Sequence, residues 1–255
     1  MQRVLIVDPQ PAATKLLSEL LRDVCQCQIW ASPDAQQAMA LAGRIEPLLV
    51  FVEHCVGLNG TALARELRRS DLACRKAPII MISSEATAAS IIGARDAGVH
   101  EFLRKPFTIK DLTRRLEAVA LKPRDWVEAI NYVGPDRRRF NSGDYAGQLK
   151  RRVDHAVTAD QARLYQALRI LKTAVSAIDS DPRQALRSLL AQADDICAVA
   201  RAAGETNLRV GATALGQKLR GLDSITLRRA EIEELAAPLI AAIPVEPASA
   251  RRSAA

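Results

Sequence analysis

Aromatic residues are scarce in this chain: nine of 255, or 4%. Long apolar runs are missing as well. No stretch reaches the ~18 consecutive apolar residues that a membrane-spanning helix requires. The N-terminal run Val4-Leu5-Ile6-Val7 is far too short for the apolar region of a secretory signal. A cytoplasmic location is therefore expected. The five cysteines, Cys25, Cys27, Cys55, Cys74 and Cys197, are odd in number and lack zinc-ligand spacing. They read as reduced thiols, not as a disulfide framework. Neither a helix-turn-helix signature nor a Cys/His finger is found, which weakens a DNA-binding reading.

What the chain does have is Ala, Leu and Arg in abundance, residues with a low helical cost. Its length suits two ordinary domains. A net charge of +7 and a pI near 9.4 suit an acidic partner: nucleic acid, nucleotide or an acidic protein face.

Residues 1–121 alternate short apolar runs with amphipathic segments. Strands are expected at Val4–Val7, Cys27–Trp30, Leu48–Val52, Pro78–Ile82 and Glu101–Arg104. Helices are expected at Ala12–Asp23, Asp34–Ile45, Thr61–Arg69, Thr87–Ala97 and Ile109–Leu121. The run Leu-Leu-Val-Phe-Val is apolar throughout, as a strand buried on both faces should be. Five βα units in series imply an α/β domain with a parallel sheet and helices on both faces. The working site of such a sheet lies beyond the carboxyl ends of its strands. That singles out Asp8-Pro9, Glu53-His54, Ser83-Ser84 and Lys105-Pro106.

Residues 122–157 break this rhythm with Pro123, Gly134, Pro135, Asn141, Gly143 and Gly147. Yet they hold Trp126, Tyr132, Phe140 and Tyr145, so the linker is expected to pack against something. Residues 158–243 show only helical stripes: Ala159–Ile178, Pro182–Ala203, Asn207–Leu222 and Leu227–Ile243, with Thr158 and Asp181 as caps. Four helices with short joints read as an antiparallel four-helix bundle. The tail 244–255, mostly Pro, Ala, Ser and Arg, is expected to be disordered.

Several motifs of residues 1–121 carry a family resemblance. They are Val4-Leu5-Ile6-Val7-Asp8, Leu58-Asn59-Gly60, Pro78-Ile79-Ile80-Met81-Ile82-Ser83, and Ala97-Gly98 leading to Phe102-Leu103-Arg104-Lys105-Pro106-Phe107. Over its whole length this part resembles the receiver domain of response regulators, which implies a flavodoxin-like sheet and a place in two-component signalling. The resemblance also implies that Lys105 contacts a phosphoryl group, that Ser83 senses it, and that the Lys105–Pro106 bond is cis.

A working receiver holds Mg²⁺ between two acids after the first strand and an acceptor aspartate after the third, and Mg²⁺ demands oxygen ligands. Here the pair is Asp8-Pro9, so one acid is missing. Counting back from Asn59-Gly60 without gaps puts the acceptor position at Val52, which has no nucleophilic oxygen. A shift of one residue would put Glu53 there. Metal binding is thus expected to be weak or absent, with no other cofactor. Two arrangements stay open: Lys105 paired with Asp8 in a vestigial pocket, or Glu53 reaching Lys105 and imitating the phosphorylated state. His54 reads as a loop residue, not a phosphohistidine.

The stretch Ala193-Asp194-Asp195-Ile196-Cys197-Ala198 through Gly204 is similar to the active helix of histidine phosphotransfer (HPt) domains. In that register Asp194 stands at the histidine position, and a carboxylate cannot replace the imidazole. The plain alternative is an ordinary pair of Ala-rich helices. His155 precedes the first helix and is poorly placed for transfer.

Arg137-Arg138-Arg139 and Lys150-Arg151-Arg152 flank the aromatic stretch. Arginine forks can grip phosphates and stack on bases. A cyclic dinucleotide such as cyclic di-GMP, nucleic acid, or a solvated basic linker would each fit. The expectation is a non-catalytic adaptor binding a histidine kinase, HPt protein or receiver. The alternatives are a second-messenger sensor on the linker, and an atypical phosphoacceptor using Glu53 or His155.

Overall fold

The computed structural model describes residues 2–137 and 159–243. Arg138, Arg139, Lys150, Arg151, Arg152, His155, the Thr158 cap and the tail 244–255 lie outside the described residues. The chain divides into two compact units, residues 1–127 with 132–147, and residues 128–131 with 148–255.

The first unit is built on five parallel strands in the order β2-β1-β3-β4-β5. These are β1 (Gln2–Val7), β2 (Cys27–Ser32), β3 (Leu49–Glu53), β4 (Ile79–Ser83) and β5 (Glu101–Arg104). The interleaved helices are α1 (Pro11–Val24), α2 (Ala35–Ile45), α3 (Gly60–Arg69), α4 (Ala88–Asp96) and α5 (Ile109–Leu121). Capping side chains start four of them: Asp34, Asn59 and Thr87 each accept an N–H of the first turn, and Thr108 with Asp111 forms a capping box.

Strand alternation sorts the core into two layers. Leu5, Val7, Val50, Val52, Ile79 and Met81 face α2, α3 and α4. Val4, Ile6, Phe51, Ile80 and Ile82 face α1 and α5. The helical stripes follow: Leu63, Ala64 and Leu67 of α3 belong to the first layer, and Leu17, Leu21 and Leu112 to the second.

Beyond α5 the expected linker is not irregular throughout. Strands β6 (Trp126–Glu128) and β7 (Val133–Pro135) pair with each other. The aromatics account for this. The Trp126 ring lies 5.3 Å from the buried Arg68 guanidinium, and Tyr132 donates its hydroxyl proton to the Pro135 carbonyl at 2.5 Å. Arg137 lies over the Tyr132 ring and pairs with Asp96 at 3.0 Å. Gly134 sits against Gly98, where a Cβ would meet the Gly98 Cα at 2.7 Å. Thus part of the Gly-Pro-Asp-Arg-Arg-Arg string clamps the turn between α4 and β5.

Gly98 shows how tight this clamp is. Its φ is +82°, and an added Cβ would lie 2.5 Å from the Val133 carbonyl. Gly98→Ala is therefore expected to destabilise the first unit by about 2–3 kcal/mol, from strain and the displaced strand. Urea denaturation followed by tryptophan fluorescence measures this, since Trp30 and Trp126 both lie in the first unit.

In the second unit, α6 (Ala159–Ser176), α7 (Pro182–Ala203), α8 (Thr206–Arg220) and α9 (Arg229–Ala241) share one core. Its centre is Leu168, Leu171, Leu189, Ile196, Leu215 and Ile232. Asp181 caps α7 and Gly204 ends it in the left-handed conformation. Among the described residues, no helix is long and apolar enough to cross a membrane.

Candidate functional site

Asp8 follows β1, Glu53 and Ser83 end β3 and β4, and Lys105 follows β5, so all four gather at the carboxyl edge of the sheet. Lys105 Nζ lies 2.6 Å from Glu53 Oε2 and 3.4 Å from Asp8 Oδ2. Both carboxylates are buried, Glu53 at 5% and Asp8 at 8% exposed, while the lysine side chain keeps 27% of its surface. Of the two arrangements left open by the sequence, the lysine serves both carboxylates and approaches Glu53 more closely.

The ungapped count puts the acceptor position at Val52, and the one-residue shift puts it at Glu53; the structure places these two side chains on opposite faces of β3. Val52 packs in the layer under α2 and α3, with 1% exposed, and its side chain points away from Lys105. β3 ends one residue later than expected, at Glu53. The period of two puts Glu53 on the face of Phe51, Ile80 and Ile82, the face from which Asp8 also projects after Ile6. The reverse register would expose a valine, losing about 1.5 kcal/mol or more of apolar burial, and would drive a carboxylate into the core.

Burial raises the Glu53 pKa above the usual carboxylate value; the charge of Lys105 opposes that rise and Asp8 adds to it. Burial would lower the pKa of Lys105, but hydrogen bonding and attraction from Glu53 and then Asp8 outweigh it, and the net shift is upward. Asp8 and Ser83 make further hydrogen bonds nearby. Asp8 Oδ1 accepts the Gln10 N–H at 2.8 Å. Ser83 Oγ donates to the His54 carbonyl at 2.7 Å and accepts the Glu85 N–H at 3.1 Å. Pro9 contributes no side-chain oxygen and lies just before α1. The Lys105–Pro106 peptide is cis.

A second polar centre, not singled out from the sequence, lies at the other end of the strands. Arg68 of α3 is 1% exposed, yet among the described residues no carboxylate faces it at bonding distance. It donates instead to the carbonyls of Gly98 at 2.9 Å, Arg75 at 2.6 Å and Ala77 at 2.8 Å, and meets His100 Nδ1 at 3.1 Å. Burial lowers its pKa to about 9, and burial with the nearby arginine charges pushes His100 down to about 2. The one available clue was an arginine at an apolar position of an amphipathic helix, beside Leu63, Ala64 and Leu67.

In the helical unit Asp194 is exposed on α7 and ion-paired with Arg220 of α8. Its neighbour Asp195 pairs with Arg163 of α6. Arg137 is the one member of the two arginine runs among the described residues, and it is engaged by Asp96 and Tyr132. Among the described residues no group of three or more His, Cys, Asp or Glu side chains could hold a metal ion.

Residues 4–117 match the family model of the Response regulator receiver domain. The chemotaxis protein CheY of Pseudomonas aeruginosa is 29% identical over 119 residues, covering 46% of this chain and 94% of CheY. The transcriptional regulatory protein CpxR of Klebsiella pneumoniae is 29% identical over 128 residues, covering 50% of this chain and 53% of CpxR. The chain thus spans about half the length of CpxR, and likewise of the DNA-binding response regulator MtrA of Mycolicibacterium smegmatis. Among solved structures, CheY4 of Vibrio cholerae aligns with a TM-score of 0.43 at 22% identity, over 47% of this chain and 98% of that one.

Proposed function

We propose, with residues 4–117 forming the response regulator receiver domain they match, that this receiver is locked and does not take part in phosphoryl transfer. The observation that carries the reading is the 2.6 Å ion pair between Lys105 and Glu53. The lysine that would meet an incoming phosphoryl group is already held by a carboxylate of the chain itself. Glu53 stands where the acceptor would, but its longer side chain spends its reach on Lys105.

The donor set also suits Mg²⁺ poorly. Asp8 and Glu53 both face an ammonium group, and Pro9 supplies no third carboxylate. Hard divalent cations need several oxygens in regular geometry, so no step is routed through a metal. Ser83 Oγ gives its proton to the His54 carbonyl and not to Glu53. This favours a pocket fixed in one state over one imitating the phosphorylated state.

In this reading the protein is a cytoplasmic adaptor of two-component systems that is not itself an enzyme. The helical unit would be an antiparallel four-helix bundle of HPt-like shape, with Asp194 where the phosphorylated histidine would stand. Its partners would be a histidine kinase, an HPt protein or another receiver, which it would bind without exchanging phosphate. No observation on the described residues favours cyclic dinucleotide or nucleic acid, since Arg137 is already engaged.

The test adds the purified chain to a reconstituted kinase, HPt protein and receiver from its host. The expected result is a changed flow of radiolabelled phosphate between those partners, with no label on this chain. Label on Glu53, or an unchanged flow at saturating chain, would refute the reading.

A further inference from the structure

Cys25 caps the end of α1 and Cys27 opens β2, with one residue between them. The backbone at Cys25 is already extended, with φ −153° and ψ 151°. Side chains two apart on an extended chain point the same way. The burial pattern follows this rule: Cys25, Cys27 and Ile29 are half-buried, while Gln26 and Gln28 are exposed. Cys27 and Ile29 pack on the layer of Val4, Ile6, Leu17 and Leu21. Cys25 Sγ donates to the Leu21 carbonyl at 3.3 Å. β2 is an edge strand, and both cysteines are free thiols that keep part of their surface. Two sulfurs thus stand on one side of the chain, within reach of solvent. They lie where β2 begins, at the edge of the sheet opposite Lys105.

We propose that Cys25 and Cys27 form a binding site for a thiophilic monovalent cation, Cu(I), held between two thiolates. Zinc suits the pair less well. It takes four ligands, and among the described residues no group of three or more His, Cys, Asp or Glu could hold a metal ion. A disulfide meets two obstacles. Residues two apart on a strand have Cα atoms about 6.6 Å apart, close to the upper limit of about 6.8 Å for that bond. Burial also pushes the Cys25 thiol up to about 11, and the Cys27 thiol beside it adds to the rise. Such a thiol attacks oxidants poorly at neutral pH. Cu(I) avoids both obstacles. It prefers soft sulfur donors and is satisfied by two of them. It sits between the sulfurs, so the chain need not contract. The ion displaces the thiol protons itself: two S–H bonds break, two Cu–S bonds form, two protons leave to solvent, and no electron is transferred. The site does not depend on the proposed lack of phosphoryl transfer.

Anaerobic titration of the intact chain with Cu(I), in competition with the chelator bathocuproine disulfonate, tests this. The wild type should hold one ion per chain against the chelator. Cys25→Ser and Cys27→Ser should each weaken retention on the order of 100-fold or more, since losing even a supporting group around a metal costs about 10- to 100-fold. Cys55→Ser/Cys197→Ser should hold the ion as the wild type does. A second measurement needs no variant. Phenylarsine oxide closes on two sulfurs, forming two As–S bonds and releasing one water. The tryptic peptide of residues 23–44, which contains Cys25 and Cys27 and no other cysteine, should carry one phenylarsenic bridge. The inference fails if the wild type yields Cu(I) to the chelator as readily as Cys25→Ser/Cys27→Ser does. It fails equally if the arsenical leaves residues 23–44 unmodified.

Discussion

Arg68→Ala is expected to destabilise the first unit by about 3–5 kcal/mol, one of the two largest effects foreseen for this chain. The wild-type guanidinium is buried and serves three carbonyl oxygens at once, those of Gly98, Arg75 and Ala77. Truncation leaves those acceptors without donors in a place water does not reach, at about 1–3 kcal/mol each before relaxation. It also removes a cation from the face of Trp126. Arg68→Lys should recover only part of the loss, because an ammonium group cannot span three divergent carbonyls in one plane. Urea denaturation followed by near-UV circular dichroism resolves the two variants. A loss below 1 kcal/mol in the alanine variant would mean that the carbonyls find other partners.

Lys105→Met should produce the second large effect, and one that depends on pH. Removing the ammonium leaves Glu53 facing Asp8 with nothing between the two carboxylates. Losing one partner of a fully buried pair costs about 3–5 kcal/mol. The lysine here is partly exposed, so about 1–3 kcal/mol is expected near neutral pH. Glu53 binds its proton more tightly in the folded state than in the unfolded chain, its pKa being raised above 4.5. A carboxyl raised in this way makes stability fall as pH rises from about 4.5 through the folded-state value. The methionine variant raises that value further, so its deficit should shrink in acid and persist to a higher pH than in the wild type. Lys105, whose folded pKa lies above 10.5, works at the other end of the scale. Its stabilisation is complete below that value and disappears as pH climbs past the raised one. Glu53→Gln is the control and should flatten the acid-side slope. A Lys105→Met chain with the wild-type pH profile would show that Glu53 is not coupled to the lysine.

The order of elements in the first unit was legible because apolar runs and amphipathic stripes have different periods, and both are strong in this chain. The boundary that mattered most was displaced by one residue. Glu53 is charged, so hydropathy ends the third strand at Val52, whereas the ladder continues because Glu53 pairs with Ile82. With a side-chain period of two, that single residue decides which group faces Lys105. Arg68 was invisible for a related reason: arginine on a helix reads as a solvated face until the carbonyls around it are placed. The β6 and β7 pair could not be read from three-residue segments rich in Gly and Pro; of the four aromatics expected to pack, Trp126 and Tyr132 are seen to do so, and Phe140 and Tyr145 lie outside the described residues. The buried polar row on α7 was hidden because Gln184, Ser188 and Gln192 read as the polar side of the helix. They turn inward because Glu128, more than fifty residues earlier in the chain, gives them acceptors.

Whether Glu53 ever carries a phosphoryl group separates a locked receiver from a working one. Intact-mass spectrometry after incubation with acetyl phosphate and Mg²⁺ reads this in one step, with Pro9→Asp/Glu53→Asp, which puts aspartates at both positions, as the comparison. The wild-type mass should stay unchanged while the double variant gains one phosphoryl group. A wild-type chain that gains that mass, and loses the gain when Glu53 is replaced by alanine, would contradict the locked receiver.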